Sequence, residues 1–153
     1  MPKVPNFFSY RLEATLPTPK EFTAQSEWYD FDKKLARFDY QPLTDLDAHT
    51  AGKDKISEIH DYNAGIRYII DRKTEKCLNV TTLDPYAIDG IFEGNSTANY
   101  TRLRTAIEMF HFDKVNYQYH GSRKVRDIDC DVWIAKRDDW PPQPGMNTTS
   151  IWE

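Results

Sequence analysis

The sequence has no long apolar run, no basic excess and no apolar core of a signal peptide at its start. A membrane-spanning helix needs about 20 apolar residues, and none of that length occurs among the 153 residues. The net charge is −4, whereas nucleic-acid-binding domains carry a basic patch or stripe. We therefore expect neither a transmembrane segment nor a nucleic-acid partner. If the protein is secreted, its signal peptide is expected to lie outside this chain.

Enzyme motifs are also missing. The six glycines form neither a phosphate-binding loop nor a G-x-S-x-G nucleophile elbow. The histidines lack the H-E-x-x-H spacing of zinc enzymes, so we interpret them as surface or turn residues. With 24 acidic residues, no catalytic carboxylate pair stands out. The sequence predicts a protein that is not an enzyme and needs no cofactor, with an unrecognised hydrolase as the weakest alternative.

Cysteine is limited to two residues, Cys77 and Cys130. Neither belongs to a C-x-x-C pair of the metal-binding or redox kind. Two lone cysteines in an oxidising compartment usually form one disulfide. We therefore predict a Cys77–Cys130 disulfide, and the alternative is two buried free thiols.

Glycosylation signals are more frequent than chance predicts. Four Asn-x-Ser/Thr sequons occur, against about one expected by chance, and they favour a secreted or lumenal glycoprotein. Glycans require surface positions, so each sequon also predicts a segment that faces water. The four asparagines are Asn79, Asn95, Asn99 and Asn147.

Aromatic residues are abundant, at 14% of the chain, and many alternate with polar residues. This period of two predicts half-buried strands. The clearest hairpin has Asn63-Ala-Gly65 as its connection, with glycine where a left-handed conformation is needed. A further turn is predicted at His120-Gly-Ser122. The predicted strands cover residues 8–16, 22–29, 35–40, 56–62, 66–71, 78–82, 115–119 and 126–134.

One amphipathic helix is predicted over residues 98–110. Its apolar side chains recur at three- and four-residue spacing, and Ser96 or Thr97 can cap its start. The chain is thus expected to be one β-rich (α+β) domain over residues 1–153, with an antiparallel sheet covered by the helix or curled around a cavity. The predicted stripe comprises Tyr100, Leu103, Ala106, Ile107 and Phe110.

Three alternating carboxylates, Asp127, Asp129 and Asp131, are weak candidates for calcium ligands. An EF-hand loop needs glycine at its sixth position and glutamate at its twelfth, where this chain has Val132 and Asp138. On a strand, such carboxylates lie roughly 7 Å apart. This spacing favours a solvated strand face over a metal cage.

Three stretches resemble secreted animal domains of the ependymin-related and LolA-like group. They are Trp28–Tyr40, Ile59–Asp71 followed by Lys76-Cys77, and Tyr117–Trp133. The resemblance spans residues 8–134 and implies a strongly curved antiparallel sheet, or half-barrel, around an apolar pocket. It also implies that Cys77 and Cys130 pair, and that the domain carries a lipid or another apolar ligand without catalysis. The expected pocket residues are Tyr10, Leu12, Trp28, Phe38, Tyr68, Ile70, Tyr117 and Tyr119.

The last residues, Ser150–Glu153, have the pattern of a strand that begins where the chain stops. Because related domains continue with more strands, we expect either that the domain is incomplete at its C-terminus, as a fragment of a longer or cleaved polypeptide, or that another chain supplies the missing strands. An open sheet edge then predicts a partner chain or a homo-oligomer. The leading hypothesis is a secreted carrier of a lipid, fatty acid or pigment. The alternative is a structural or adhesive extracellular module, with calcium as a potential ligand.

Overall fold

The computed structural model describes residues 3–17, 20–42, 54–94, 99–137 and 150–152. The chain forms two compact units. One contains Pro5–Thr105, and the other contains Met1–Val4 and Ala106–Glu153. Antiparallel strands dominate both units, which confirms the predicted β-rich class. A strongly curved half-barrel stays a prediction.

The Pro5–Thr105 unit is built on a six-stranded antiparallel sheet in which each strand pairs with its predecessor. Aromatic and β-branched side chains alternate with polar ones along these strands, as half-buried strands require. The predicted strand over residues 35–40 is confirmed. The strands are β1 (Phe7–Pro17), β2 (Lys20–Asp30), β3 (Leu35–Tyr40), β4 (Ile56–Asp61), β5 (Ile66–Asp71) and β6 (Lys76–Thr82).

The predicted hairpin joins β4 to β5. Gly65 has a φ of +68°, a conformation that costs glycine no steric clash. The Asp61 carboxylate accepts hydrogen bonds from the backbone amides of Asn63 and Ala64 at 2.9 and 3.1 Å, as in an Asx-turn. Local sequence therefore suffices to specify this turn.

Strand register separates the sheet into two faces. The inner face, as we name it, carries the buried side chains of Tyr29, Ala36, Phe38, Ile56 and Ile69. These residues alternate with those of the outer face. The inner face therefore contains the apolar core of this unit.

The outer face carries a row of cross-strand neighbours, Trp28, Arg37, Ile59 and Tyr68. The Arg37 guanidinium lies 5.2 Å from the Trp28 ring centroid, a cation–π contact. Arg37 also donates two hydrogen bonds to Asp39, at 2.8 and 2.9 Å. This face thus mixes apolar and paired charged groups.

The predicted helix over residues 98–110 is largely wrong. Strands β7 (Gly90–Gly94) and β8 (Asn99–Leu103) pair as an antiparallel hairpin, and only α1 (Ala106–Met109) is helical there. Tyr100 and Arg102 both bind Glu93 across the hairpin, each at 2.6 Å. Cross-strand pairing has therefore overridden the helical spacing. The proposed caps Ser96 and Thr97 lie outside the described residues.

The other unit contains α1 and a three-stranded sheet. Its strands are β9 (Gln118–Val125), β10 (Ile128–Arg137) and β11 (Ser150–Trp152), in the order β11-β10-β9. The final strand β11 pairs with β10 inside the chain. The predicted partner chain or homo-oligomer stays a prediction.

The turn predicted at His120–Ser122 is wrong. Gly121 lies within β9, with a φ of +94°, where the register with β10 shifts, so the glycine forms a β-bulge. The chain reverses instead at Arg126 and Asp127, whose φ angles are +48° and +66°. Two successive positive φ angles are typical of a type I′ hairpin turn.

A substitution at Gly90 tests the close packing of β7 against its neighbours. An added Cβ would lie 3.1 Å from the Tyr62 hydroxyl and 3.0 Å from Thr101 Cγ2. We expect Gly90→Ala to lower the free energy of unfolding by about 1–3 kcal/mol, measured by urea denaturation. The double variant Gly90→Ala/Thr101→Ser removes one contact and should recover part of the loss. An unchanged free energy in Gly90→Ala would contradict this packing.

Candidate functional site

The eight side chains predicted to line one pocket do not share one surface. Tyr10, Leu12 and Phe38 lie on the inner face of the six-stranded sheet. Of the other five predicted pocket residues, three lie on the outer face of this sheet and two belong to the other unit of the chain. The structure therefore does not bring the set together, and ligand contact by its members stays a prediction. The outer-face residues are Trp28, Tyr68 and Ile70, and those of the other unit are Tyr117 and Tyr119.

The two tyrosines of the other unit pack against aromatic neighbours. Tyr117 contacts Phe112 with ring centroids 5.0 Å apart, and Tyr119 contacts Trp133 at 5.3 Å. The Tyr119 hydroxyl also lies 3.2 Å from Asp131. Both side chains therefore have defined local packing.

His60 forms the centre of a buried ionic network on the inner face. Its Nδ1 lies 2.8 Å from Asp89 Oδ2, and its Nε2 lies 2.8 Å from Glu58 Oε1. Glu58 also accepts a 2.8 Å hydrogen bond from the Tyr40 hydroxyl and lies 3.5 Å from the Arg67 guanidinium. The interpretation of the histidines as surface or turn residues is therefore wrong for His60, whose side chain is 6% exposed.

The two carboxylates keep His60 protonated. Burial alone lowers the pKa of His60, but the hydrogen bonds and charges of Asp89 and Glu58 outweigh burial and raise that pKa to about 9. Burial likewise opposes ionisation of Glu58, yet its bonds to His60 and Tyr40 lower the Glu58 pKa below its usual value. The network is an imidazolium between two carboxylates, which ties Asp89 to β4.

A second buried carboxylate, Glu27, lies on the inner face of β2. The hydroxyls of Tyr10 and Tyr29 donate to Glu27 Oε2, and Gln25 donates to Oε1 at 2.7 Å. Burial raises the pKa of Glu27, and these three donors only partly offset that effect. Tyr10, predicted as a pocket residue, is thus part of a hydrogen-bond cluster.

The His60 cavity, as we name it, has a volume of about 240 Å³. Its charged lining includes Glu58, His60, Arg67 and Asp89, and Phe38 contributes an apolar wall. Phe38 is the one predicted pocket residue that borders it. The imidazolium and the guanidinium both face carboxylates, while Asp84 adds a further carboxylate to a lining that Phe38 and Ile88 make partly apolar.

The Phe31 cavity, also about 240 Å³, is more apolar. The turn between β2 and β3 contributes Phe31 and Lys34, and Tyr62 follows β4. The Tyr62 hydroxyl is buried beside the Asp89 carboxylate and makes no hydrogen bond of normal geometry with any described residue. Burial, then the Asp89 charge, raises the pKa of Tyr62. The remaining lining residues belong to β8: Tyr100, Thr101, Arg102 and Leu103.

Sequence reasoning missed most residues of both cavities. His60 and Glu58 had a usable signal, because they alternate in phase with Ile56 and therefore share its buried face. Asp89 and Phe31 lie outside any strand, and no local pattern indicates their positions. The β8 residues were assigned to a helix, so their common cavity could not be predicted.

The two cysteines have free thiols in the structure. Cys77 lies on the edge strand β6 and its Sγ is 3.4 Å from the Asn79 carbonyl oxygen. The Sγ of Cys130, on β10, is 3.5 Å from the Ile128 carbonyl oxygen. The predicted Cys77–Cys130 disulfide is thus not formed in this structure, and the pairing stays a prediction.

Two of the four sequons lie on described strands. Asn79 is half-buried on β6, where its Oδ1 accepts a 2.9 Å hydrogen bond from the Val80 amide. Asn99 begins β8. Asn95 and Asn147 lie outside the described residues. Glycosylation at all four positions stays a prediction.

The three aspartates considered for calcium lie at the turn between β9 and β10 and on β10 itself. Asp127 lies in the turn between β9 and β10, whereas Asp129 and Asp131 lie on β10, and all three are exposed. Asp131 accepts hydrogen bonds from Tyr119 and Ser122, at 3.2 Å each. No group of three or more histidine, cysteine or acidic side chains in the described part of the chain could hold a metal ion.

Comparison with known families gives one match. The family described as the metazoan second LolA-like domain matches residues 1–153. The chain belongs to this family. Its membership confirms the LolA-like resemblance, while a relation to ependymins stays a prediction. No curated protein and no solved structure matches significantly.

LolA-like membership indicates a lipid-binding or hydrophobic-ligand-binding fold. The strand-rich structure agrees with that fold class. Within the described residues of this LolA-like domain, no helix is long and apolar enough to span a membrane.

His60 should control the stability of the LolA-like domain above neutral pH. Its pKa of about 9 exceeds the ordinary 6.5, so its protonation stabilises the fold fully below pH 6.5 and progressively less as the pH rises through about 9. The free energy of unfolding should fall by on the order of 3 kcal/mol over this range, because each unit of the pKa shift corresponds to about 1.36 kcal/mol.

We expect His60→Gln to abolish this pH dependence and to unfold at lower urea concentration at pH 6. His120→Gln, at an exposed position, is the matched control and should behave like the wild type. If the free energy of unfolding depended on pH in the same way in the wild type and in His60→Gln, the result would contradict the imidazolium network. Urea denaturation followed by tryptophan fluorescence at each pH makes the comparison.

Proposed function

We propose that this LolA-like domain is a non-enzymatic carrier that holds a lipid or another hydrophobic small molecule in the Phe31 cavity. The observation that carries the proposal is an apolar cavity in a chain whose whole length matches a LolA-like family. Phe31, Tyr62, Tyr100 and Leu103 supply aromatic and aliphatic walls. Ligand pockets are predominantly of this composition, with a few polar groups that orient the ligand.

The size of the cavity suits part of an alkyl chain. Its volume of about 240 Å³ is slightly below the roughly 300–1,000 Å³ of small-molecule sites, so a long ligand would extend beyond it. Burial contributes about 0.8 kcal/mol per methylene group. Six buried methylenes would thus contribute about 5 kcal/mol before the entropic costs of binding.

The polar groups of the His60 cavity support a role without catalysis. A general base needs a nitrogen or oxygen that is free to accept a proton. Both ring nitrogens of His60 face carboxylates at 2.8 Å, so neither is available. Ser57, the buried hydroxyl nearby on β4, donates to Asp39 at 2.7 Å and points to the other face of the sheet. These groups stabilise the fold instead.

Phe31→Ala tests the proposed site. We expect the variant to bind the neutral apolar fluorophore N-phenyl-1-naphthylamine about tenfold more weakly than the wild type, because burial of one large apolar side chain contributes about 1.5–3 kcal/mol. Phe7→Ala is the matched control, since Phe7 is 62% exposed and does not line the cavity. Its affinity should be unchanged.

Absence of binding in the wild type, together with no extractable ligand in native mass spectrometry of protein from its source, would contradict the carrier role. That pair of results would favour the structural or adhesive module. Equal affinities in all three proteins would place the ligand elsewhere.

We also propose that the domain functions in the secretory pathway or outside the cell. The four sequons support this location. Protein isolated from its source should lose mass on treatment with peptide-N-glycosidase F, and alkylation without prior reduction should leave Cys77 and Cys130 unmodified if they pair. Unchanged mass together with two alkylated cysteines would contradict the proposed compartment.

A further inference from the structure

The turn between β2 and β3 presents two neighbouring lysines with different environments. Lys33 pairs with Asp30 at 3.0 Å. Lys34 lines the Phe31 cavity and forms no ion pair or side-chain hydrogen bond with any described residue. The Lys34 side chain therefore borders an apolar cavity, and its ammonium has no carboxylate partner in the described part of the chain.

The backbone holds Lys34 beside Tyr62. The Tyr62 amide donates to the Lys34 carbonyl oxygen at 3.0 Å, and the Asn63 side chain donates to the Lys33 carbonyl oxygen at 2.8 Å. Lys34 itself has a φ of +55°, which fixes the end of the turn. The position of the lysine at the cavity is therefore set by the fold.

The other cation of the cavity already has a partner. Arg102 donates to Glu93 at 2.6 Å, and Tyr100 donates to the same carboxylate at 2.6 Å. Glu93 thus neutralises Arg102. The Tyr62 hydroxyl, in contrast, is buried beside the Asp89 carboxylate and makes no hydrogen bond of normal geometry with any described residue, although a buried hydroxyl normally makes one.

We propose that the Phe31 cavity selects an anionic amphiphile, whose head group binds Lys34 with support from the Tyr62 hydroxyl, and whose alkyl chain lies against Phe31 and Leu103. The proposal rests on the proposed function and names its ligand class. A carboxylate of a free fatty acid and a phosphate monoester of a lysolipid share the required chemistry. Both accept hydrogen bonds and carry negative charge.

Charge and solvation determine the expected selectivity. Lys34 is exposed to solvent. An ion pair between its ammonium and a ligand's head group should therefore raise the affinity for that ligand only moderately, by about fivefold. A neutral ligand of equal chain length gains no such contribution, and a cationic one is repelled. The preference should weaken as salt is raised, because exposed charges are screened.

The experiment compares four ligands of one chain length: dodecanoate, monododecyl phosphate, dodecanol and dodecylamine. Each displaces N-phenyl-1-naphthylamine from the wild type, Lys34→Met and Lys33→Met. We expect the wild type to bind the two anions about fivefold more tightly than the alcohol, and the amine least tightly. Lys34→Met should lose that preference, while Lys33→Met should keep it.

Each outcome decides the proposal. Equal binding of all four ligands by the wild type, or an anion preference that survives in Lys34→Met, would overturn it while leaving the hydrophobic carrier intact. Failure of every ligand to bind would instead contradict the proposed function. A preference for only one of the two anions identifies the head group as carboxylate or phosphate.

Folding of the variants is checked by circular dichroism. If Lys34→Met fails to fold, Lys34→Gly replaces it, because glycine adopts a positive φ without a steric clash. Tyr62→Phe provides an independent readout, since it removes only the hydroxyl. We expect this variant to weaken binding of both anions about threefold and to leave dodecanol unaffected.

Discussion

Asp89 is held against His60 although 29 residues separate them in the chain, and much of the Pro5–Thr105 unit depends on that contact. The imidazolium lies between Asp89 and Glu58 and ties the segment that precedes β7 to the inner face of the sheet. Loss of one partner from a buried ion pair typically costs 3–5 kcal/mol, since the remaining charges stay buried. Gly90, which follows Asp89, lies close to the hydroxyl of Tyr62, and Tyr62 lines the Phe31 cavity.

The His60 cavity and the Phe31 cavity differ in how their charged groups are paired. In the His60 cavity, His60 and Arg67 each lie against a carboxylate, so these cations are already paired. In the Phe31 cavity, apolar walls lie beside a lysine without a carboxylate partner among the described residues and beside a tyrosine hydroxyl that makes no hydrogen bond of normal geometry with any of them. Unused polar groups beside an apolar wall are the features by which a site recognises an amphiphile.

Local patterns predicted much of the fold but little of the site. Alternation identified the strands of the six-stranded sheet, and Gly65 identified its central hairpin, because both signals arise within a few residues. The helix over residues 98–110 was mispredicted, since the three- and four-residue spacing of apolar side chains gives no information on the pairing of Glu93 with Tyr100 and Arg102. Of the eight predicted pocket residues, Phe38 borders the His60 cavity and Tyr117 borders a separate cavity in the other unit. The set is dispersed because alternation does not reveal which face of each strand is inner.

The sequence by itself determined the β-rich class, the main strands and the LolA-like family, because periodicity, turn residues and family motifs are properties of the chain read in order. Only the tertiary structure decided which polar side chains are buried and where a ligand fits. His60 and Asp89 illustrate the reason. Their charges stabilise the fold only when strands and loops that are distant in sequence come within hydrogen-bond distance, and Lys34 gains its role only because Tyr62 and β8 form an apolar cavity beside it.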